Sequence, residues 1–247
     1  MVTNQTDALH VEGLVNLRGL GGLPIEGGGE TRFGRLLRSD SPHRLDESGA
    51  RLLADAGVST VVDLRTASER EDRPNLLVRV ADIECVSVPI FTDATEFPRE
   101  LVTATDVYSW WLRDLGAAIK AAMAAIADAP TAPVLVHCHA GKDRTGVVVA
   151  LALLLAGVGA DAIADDYALS GVQLADMLAR DRVSAVEGGM DEVRVERLFT
   201  VRREAMVETV ERIVSNHGGA ARYLAGLGMD DERIDRLRRL LVAPEWP

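Results

Sequence analysis

The chain has 247 residues, 47% of them hydrophobic and 4% aromatic, which is enough for a sizeable core built mainly from Ala, Val and Leu. Its formal net charge of -11 argues against nucleic acid as the principal partner, because nucleic-acid binders concentrate Lys and Arg on one face. Two cysteines, Cys85 and Cys138, are too few for a disulfide scaffold.

Taken in chain order, the N-terminal stretch MVTNQTDALHVEG carries neither a basic n-region nor an apolar h-region, and no apolar run reaches the length of a membrane span. The expectation is a reduced, cytoplasmic setting without stable membrane insertion, with export by a route lacking a cleaved signal left open. Short apolar or β-branched runs at 36–38, 58–64, 83–90 and 134–138 predict strands. Between them, 44–56 and 106–127 predict helices, the second ending before Pro130. Strands alternating with helices imply an α/β class, with a central, mostly parallel sheet flanked by helices.

After Cys138 the pattern turns helical to the end. The run 145–155 is apolar on nearly every face and predicts a buried central helix. Helices at 161–168, 170–180, 202–217, 220–227 and 230–242 complete a helical C-terminal extension. The stretch 180–201 mixes charges, Gly188-Gly189 and apolar residues without a clean period. With no internal repeat and no low-complexity linker, the expectation is one domain over 1–247.

The chemistry concentrates in VLVHCHAGKDRTG, residues 134–146, which reads as a buried strand, a tight loop and the start of a helix. Cys138 and Arg144 frame five residues, His139, Ala140, Gly141, Lys142 and Asp143. Such a loop wraps backbone N–H groups round a tetrahedral oxyanion, and the following helix adds its positive end. The same field favours a thiolate at Cys138, which can attack phosphorus and be released by water. Arg144 offers a planar fork for two phosphoryl oxygens. Gly141 and Gly146 remove side chains where the backbone must curl or approach closely, and Thr145 is expected to place a hydroxyl beside the sulfur. The alternative for a free cysteine, a buried core residue, does not explain why the spacing, the arginine and the glycines agree. Lys142 stands out as one of two lysines in the chain, with Lys120.

With its HCxxxxxR pattern followed by Thr145, the sequence resembles the protein tyrosine phosphatase superfamily. More narrowly, HCHAGKDR at 137–144 is similar to the atypical bacterial PtpB-like tyrosine/dual-specificity phosphatases with an HCxxGKDR signature. The likeness extends to NLRGLGG (16–22), FGRLLRS (33–39), VVDLR (61–65), GGAARYL (218–224) and LGM (227–229), nearly the whole chain. It departs at Gly19, where the group has Asp, which weakens any carboxylate role for that element. The resemblance implies a phosphomonoester hydrolase with Cys138 as nucleophile and Arg144 as phosphate anchor. It implies Lys142 as a positive charge at the pocket mouth associated with broad substrate range, and a cysteinyl-phosphate intermediate. Phosphorylated protein is the implied substrate, phosphoinositide the alternative through the same residues, and inorganic phosphate the product.

The general acid is open. No Trp-Pro-Asp loop occurs, because the Trp-Pro pair is Trp246-Pro247. The resemblance suggests Asp143; the competing reading has Asp143 bracing the loop against Arg18 or Arg65. Asp63 and Asp93 are weaker candidates. His137 is expected to orient loop backbone, while His139 is either a substrate contact or a solvent-facing spacer. His137 and His139 bracket Cys138, but no further cluster completes a coordination shell, so no metal and no other cofactor is expected. Cys85 reads as an inert core residue rather than a redox partner, and Trp110-Trp111 as core anchors. By resemblance, the segment 171–203 corresponds to a mobile helical lid hinged at Gly188-Gly189. Its apolar positions Val172, Leu174, Met177, Leu178, Val183, Val193, Leu198 and Phe199 would cover the pocket, with Arg180, Arg182 and Arg194 toward anions; a fixed helical pair completing the core is the other reading. A sulfur transferase of the rhodanese type is disfavoured by the spacing that ends in Arg-Thr-Gly. A phosphate-reading module without catalysis is disfavoured by the presence of both Cys138 and Arg144.

Overall fold

The computed structural model describes residues 10–79 and 83–243. Residues 1–9 of the stretch read for a targeting signal, and Trp246-Pro247, lie outside the described residues.

Strands β1 (Arg18–Gly19), β2 (Leu36–Ser39), β3 (Thr60–Asp63), β4 (Glu84–Ser87) and β5 (Val134–His137) form one sheet in the order β1-β2-β5-β3-β4. β5 runs parallel to β2 and β3 on either side, β3 is parallel to β4, and β1 joins β2 antiparallel. The continuous apolar character of β5 follows from this placement, since a parallel strand covered on both faces has no solvent side; every residue of β2, β3 and β5 is buried. Successive residues alternate between faces. Leu37, Leu135 and Val61 share one row and pack with Leu53 and Ala50 of α1 (Glu47–Asp55). The neighbouring residues Leu36, Val134, Val136 and Val62 enter a larger core on the opposite face.

That larger core is helical. α2 (Ala67–Asp72) follows β3. α3 (Ala104–Asp114), α4 (Gly116–Ala127) and α5 (Asp143–Leu155) then supply Tyr108, Trp111, Ile119, Met123 and the Val147–Leu153 run of α5. α5 is buried all round, as its lack of a polar face requires. α6 (Ala160–Gln173), α7 (Ala175–Glu187) and α8 (Glu192–Phe199) come next, followed by α9 (Arg203–His217), α10 (Ala220–Gly226) and α11 (Asp231–Leu241). Met206, Ile213, Tyr223, Leu224, Ile234 and Leu237 belong to the same apolar cluster as α5, so the C-terminal helices are packed into the core.

The expected elements are present with shifted ends. Asp46 caps α1 through Gly49 N, so the first helix starts at Glu47. The helix expected over 106–127 starts earlier and is two helices. Thr103 and Asp106 form a capping box, which puts the start at Ala104. The break falls at Leu115-Gly116, where a Cβ on Gly116 would lie 2.6 Å from Leu227 Cδ2. The helices expected at 161–168 and 170–180 are α6 and α7, divided at Leu174 and not near residue 169.

Candidate active site

β5 ends at His137 and α5 begins at Asp143, so the signature loop hangs from the carboxyl end of the central strand. The back of this loop is tied by its carbonyls. His139 O accepts from Ser41 N at 2.9 Å. Asn16 Nδ2 donates to Ala140 O at 2.9 Å and to Gly141 O at 3.1 Å, and Arg38 Nη2 donates to Gly141 O at 2.7 Å. Each trans peptide points its N–H opposite to its C=O, so the N–H groups of Ala140, Gly141 and Lys142 turn to the front, where the α5 N-terminus adds its partial positive charge. Gly141 has φ +67°, and a Cβ there would meet Ser39 O at 2.0 Å; no other residue fits this close approach.

The brace is itself braced by charge. Asp166 of α6 accepts from Arg18 Nε at 2.7 Å and Arg38 Nη1 at 2.5 Å, all three buried. Burial raises the cost of ionising Asp166, but the two guanidiniums outweigh it and hold the carboxyl below its usual range. Arg18 is pushed down to about 10, first by burial and then by Arg38. The sequence pointed to Asn16 only as part of a resembling element and to Arg18 as a possible partner of Asp143; Arg38 and Asp166 were not singled out. A charged residue in the middle of an apolar strand, Arg38 in LLRS, is the signal that was there.

Arg144 is held ready by a residue that sequence reading missed. Its Nη1 and Nη2 bind Glu69 Oε2 at 2.5 Å and Oε1 at 2.7 Å, and its guanidinium lies 4.8 Å from the centre of the Phe91 ring. Glu69 is the N3 member of the Thr66 capping box that starts α2. The pattern Thr-x-x-Glu was legible as a helix start, but its second use was not. Burial favours the neutral form of Glu69, yet the bidentate bonds and charge of Arg144 keep it ionised below the usual range.

Lys142 departs from expectation. It was placed at the pocket mouth; it is 3% exposed, with Nζ 2.5 Å from Asp143 Oδ1. Burial alone would lower its pKa, but Asp143 reverses this and raises it to about 12. Asp143 Oδ1 also accepts from the hydroxyl of Tyr108. Neither arginine proposed to pair with Asp143 reaches it, because Arg18 is held by Asp166 and Arg65 by Asp63 at 2.7 Å.

Cys138 is 2% exposed at the loop base. Thr145 Oγ1 is buried and makes no hydrogen bond, to the sulfur or otherwise, in the described residues. Gly146 packs on Tyr167, whose Cδ2 would lie 3.2 Å from a Cβ. His137 Nδ1 lies 3.0 Å from Cys138 O and Nε2 lies 3.5 Å from Asp63. Burial holds its pKa down despite that carboxylate. His139 lines the pocket and takes an Arg73 N–H against its ring at 3.1 Å; burial and then Arg73 lower its pKa, so it stands there as a neutral acceptor. The weaker acid candidates are engaged elsewhere: Asp63 grips Arg65, and Asp93 accepts from Ser68 N and Oγ. Cys85 is half-buried on the smaller core, with its thiol pushed up to about 11, chiefly by burial. No cluster of three or more His, Cys, Asp or Glu suited to a metal occurs among the described residues.

The site opens into a pocket of about 320 Å³. Cys138, His139, Ala140, Lys142, Asp143 and Arg144 line its floor, and Phe97, Leu101, Val107 and Trp111 form one wall. α7, α8 and the turn between them form the other wall with Leu178, Asp181, Met190, Arg194, Leu198 and Phe199. Of the positions expected to cover the pocket, Leu178, Leu198 and Phe199 do so, while Leu174 and Met177 pack on Ala140. Val172, Val183 and Val193 face outward. Of the three arginines, Arg194 lines the pocket, and Arg182 turns instead to Thr200 and Glu196. Trp110 and Trp111 are buried core residues, and Trp111 also borders the pocket.

A family model described as tyrosine phosphatase family matches residues 9–243. A tyrosine-protein phosphatase from Nostoc commune is 30% identical over 206 residues, covering 79% of this chain and 70% of that protein. The triple specificity protein phosphatase PtpB of Mycobacterium tuberculosis is 28% identical over 253 residues, 85% of this chain and 92% of its own. The core catalytic domain of the PP-IP phosphatase SIW14 from S. cerevisiae aligns with a TM-score of 0.40 at 15% identity, over 85% of this chain and 96% of that one.

Proposed function

The chain belongs to the tyrosine phosphatase family, and from that premise we propose that it hydrolyses phosphomonoesters through a cysteinyl-phosphate intermediate. The observation that carries this reading is the loop whose carbonyls are tied behind it while Arg144 is held on the pocket floor by both oxygens of Glu69. The Cys138 thiolate attacks phosphorus, forming an S–P bond as the bond to the leaving oxygen breaks. Loop N–H groups and the Arg144 fork stabilise the equatorial oxygens, in a geometry fixed before substrate arrives. Asp143, carrying its proton on Oδ2 when substrate binds while Oδ1 faces Lys142 and Tyr108, gives that proton to the leaving oxygen, then takes one back from the water that breaks the S–P bond and frees inorganic phosphate.

The pocket favours an aryl monophosphate, as in phosphotyrosine, over a multiply phosphorylated inositide. Its two floor cations are already matched, Lys142 by Asp143 and Arg144 by Glu69. Arg194 is the lining cation without an ion pair among the described residues, and Asp181 lies on the same wall. Beyond one phosphate the surroundings are apolar, suiting a ring stacked between Trp111 and Phe199 rather than further anions. PtpB, the relative named a triple specificity phosphatase, marks the breadth against which this preference is to be measured.

The test is a kcat/KM panel of phosphotyrosine, phosphoserine and phosphothreonine peptides with phosphoinositides, beside Cys138→Ser. Phosphotyrosine peptides should lead by about tenfold or more, equivalent to about 1.4 kcal/mol of transition-state binding. Cys138→Ser should abolish turnover of every substrate. A lead for polyphosphorylated inositides would establish the lipid reading in place of this one, and residual wild-type turnover by Cys138→Ser would end the covalent mechanism.

A further inference from the structure

Asp143 is one end of a buried chain of groups that the loop signature does not contain. Tyr108 of α3 and Tyr167 of α6 are each 1% exposed, and their hydroxyl oxygens lie 2.9 Å apart. The Tyr108 hydroxyl reaches Asp143 Oδ1, and Lys142 Nζ lies 2.5 Å from the same oxygen. A phenol has one proton to give, and a carboxylate oxygen facing an ammonium can only accept. Tyr108 therefore donates to Asp143, which fixes Tyr167 as the donor to Tyr108. Burial first, and then the Asp143 charge, raise the Tyr108 pKa well above its ordinary value, so the chain keeps its protons and its direction at working pH. Both donors converge on Oδ1, while Oδ2 makes no hydrogen bond in the described residues, although Asp143 lines the pocket with its side chain 34% exposed.

We propose that Tyr108, backed by Tyr167, is a positioning residue for proton transfer. It pins Oδ1 of Asp143 to the protein and leaves Oδ2 as the oxygen presented to the leaving group. The inference rests on the acid role given to Asp143 above. A freely rotating carboxylate would share its two oxygens between Lys142 and the pocket; one pinned from behind by a rigid aromatic hydroxyl keeps a single orientation. The rings are fixed by packing, with Tyr108 5.6 Å from Trp111 and 6.3 Å from Tyr167 between centroids.

Tyr108→Phe keeps the ring and removes the hydroxyl. The readout is kcat/KM, which reports the step that breaks the P–O bond, across aryl phosphates of rising leaving-group basicity. General acid catalysis contributes about 10²–10⁴-fold, chiefly for basic leaving groups. Asp143→Asn should therefore lose activity steeply toward phenyl phosphate and little toward dinitrophenyl phosphate. Tyr108→Phe should show the same steepening at smaller size, roughly tenfold at the basic end and under about threefold at the acidic end, with Tyr167→Phe weaker still. A uniform loss, or none, in both Tyr108→Phe and Tyr167→Phe while Asp143→Asn steepens would overturn the positioning role alone. No steepening in Asp143→Asn would instead remove the acid role on which it rests. If Tyr108→Phe does not fold, Tyr167→Phe decides on the same criterion.

Discussion

At the scale of single residues, the site is made by side chains that act on the loop from behind. Arg38 and Asn16 never face the pocket, yet they decide which way the loop peptides point. Asp166 anchors Arg38 directly and Asn16 through Arg18, and both arginines would be left buried without an anion if its charge were removed. Asp166→Asn preserves shape and removes only that charge. The expected cost is on the order of 3–5 kcal/mol, because stranding a buried ion is far worse than never having buried it. Denaturant unfolding would measure the loss, and catalysis should fall with it, since Arg38 would no longer hold Gly141 O in one place. A change below about 1 kcal/mol would show the triad to be dispensable.

At the scale of elements, legibility followed how local the cause was. β5 and α5 could be read because burial on every face leaves a continuous apolar run, and the Cys138 to Arg144 spacing is itself a local constraint. The glycine at the Leu115-Gly116 break could not be explained from the sequence, since the side chain that occupies the space of its Cβ is Leu227, distant in the chain. β1 is two residues long and exists through pairing with β2. Lys142 looked like a rim charge because nothing in the adjacent sequence shows that its partner Asp143 is itself held by Tyr108, which sits on α3. The α7–α8 hairpin rests on the smallest of the three apolar clusters among the described residues. Its inner face packs through a small cluster of Ala140, Leu174, Met177 and Leu178, separate from the main core, and segments with few buried contacts open at low cost. Gly188-Gly189 joins the two helices, with Gly189 at φ +89°. As a lid it would slow oxidation of Cys138, whose thiolate form is the reactive one. The ends of the segment are close, since a Cβ on Gly171 would lie 3.1 Å from Val201 Cβ, so residues 175–199 can be replaced by a short Gly-Ser link. Peroxide inactivation should then accelerate severalfold, with phosphate still protecting. An unchanged rate in a folded protein would make the hairpin a fixed wall.

At the scale of the whole molecule, the sheet carries charge into its centre, and that sets how the fold responds to acid. His137 of β5 is buried with its pKa lowered, while Asp63, Glu69 and Asp166 are held below the carboxylate range by their partners. All four shifts are depressions, so each contributes stability that is present above the unfolded-state value and lost as pH falls through the native one. For His137 the loss begins near pH ~6.5, and for the carboxylates only below about pH 4. One effect runs the other way. At net charge -11 and a sequence pI near 5.0, mild acid relieves self-repulsion. The two are separable, because the global effect is common to the wild type and to any variant of nearly the same net charge. Denaturant unfolding across pH 8 to 3 should show wild-type stability declining relative to His137→Gln as pH falls below about 6.5, the variant having no imidazole to protonate. Below about pH 4 both proteins should lose further stability as Asp63, Glu69 and Asp166 take up protons and release their arginines. If the difference between the two proteins is constant from pH 7 to pH 4.5, His137 is not the group through which mild acid reaches the centre of the sheet.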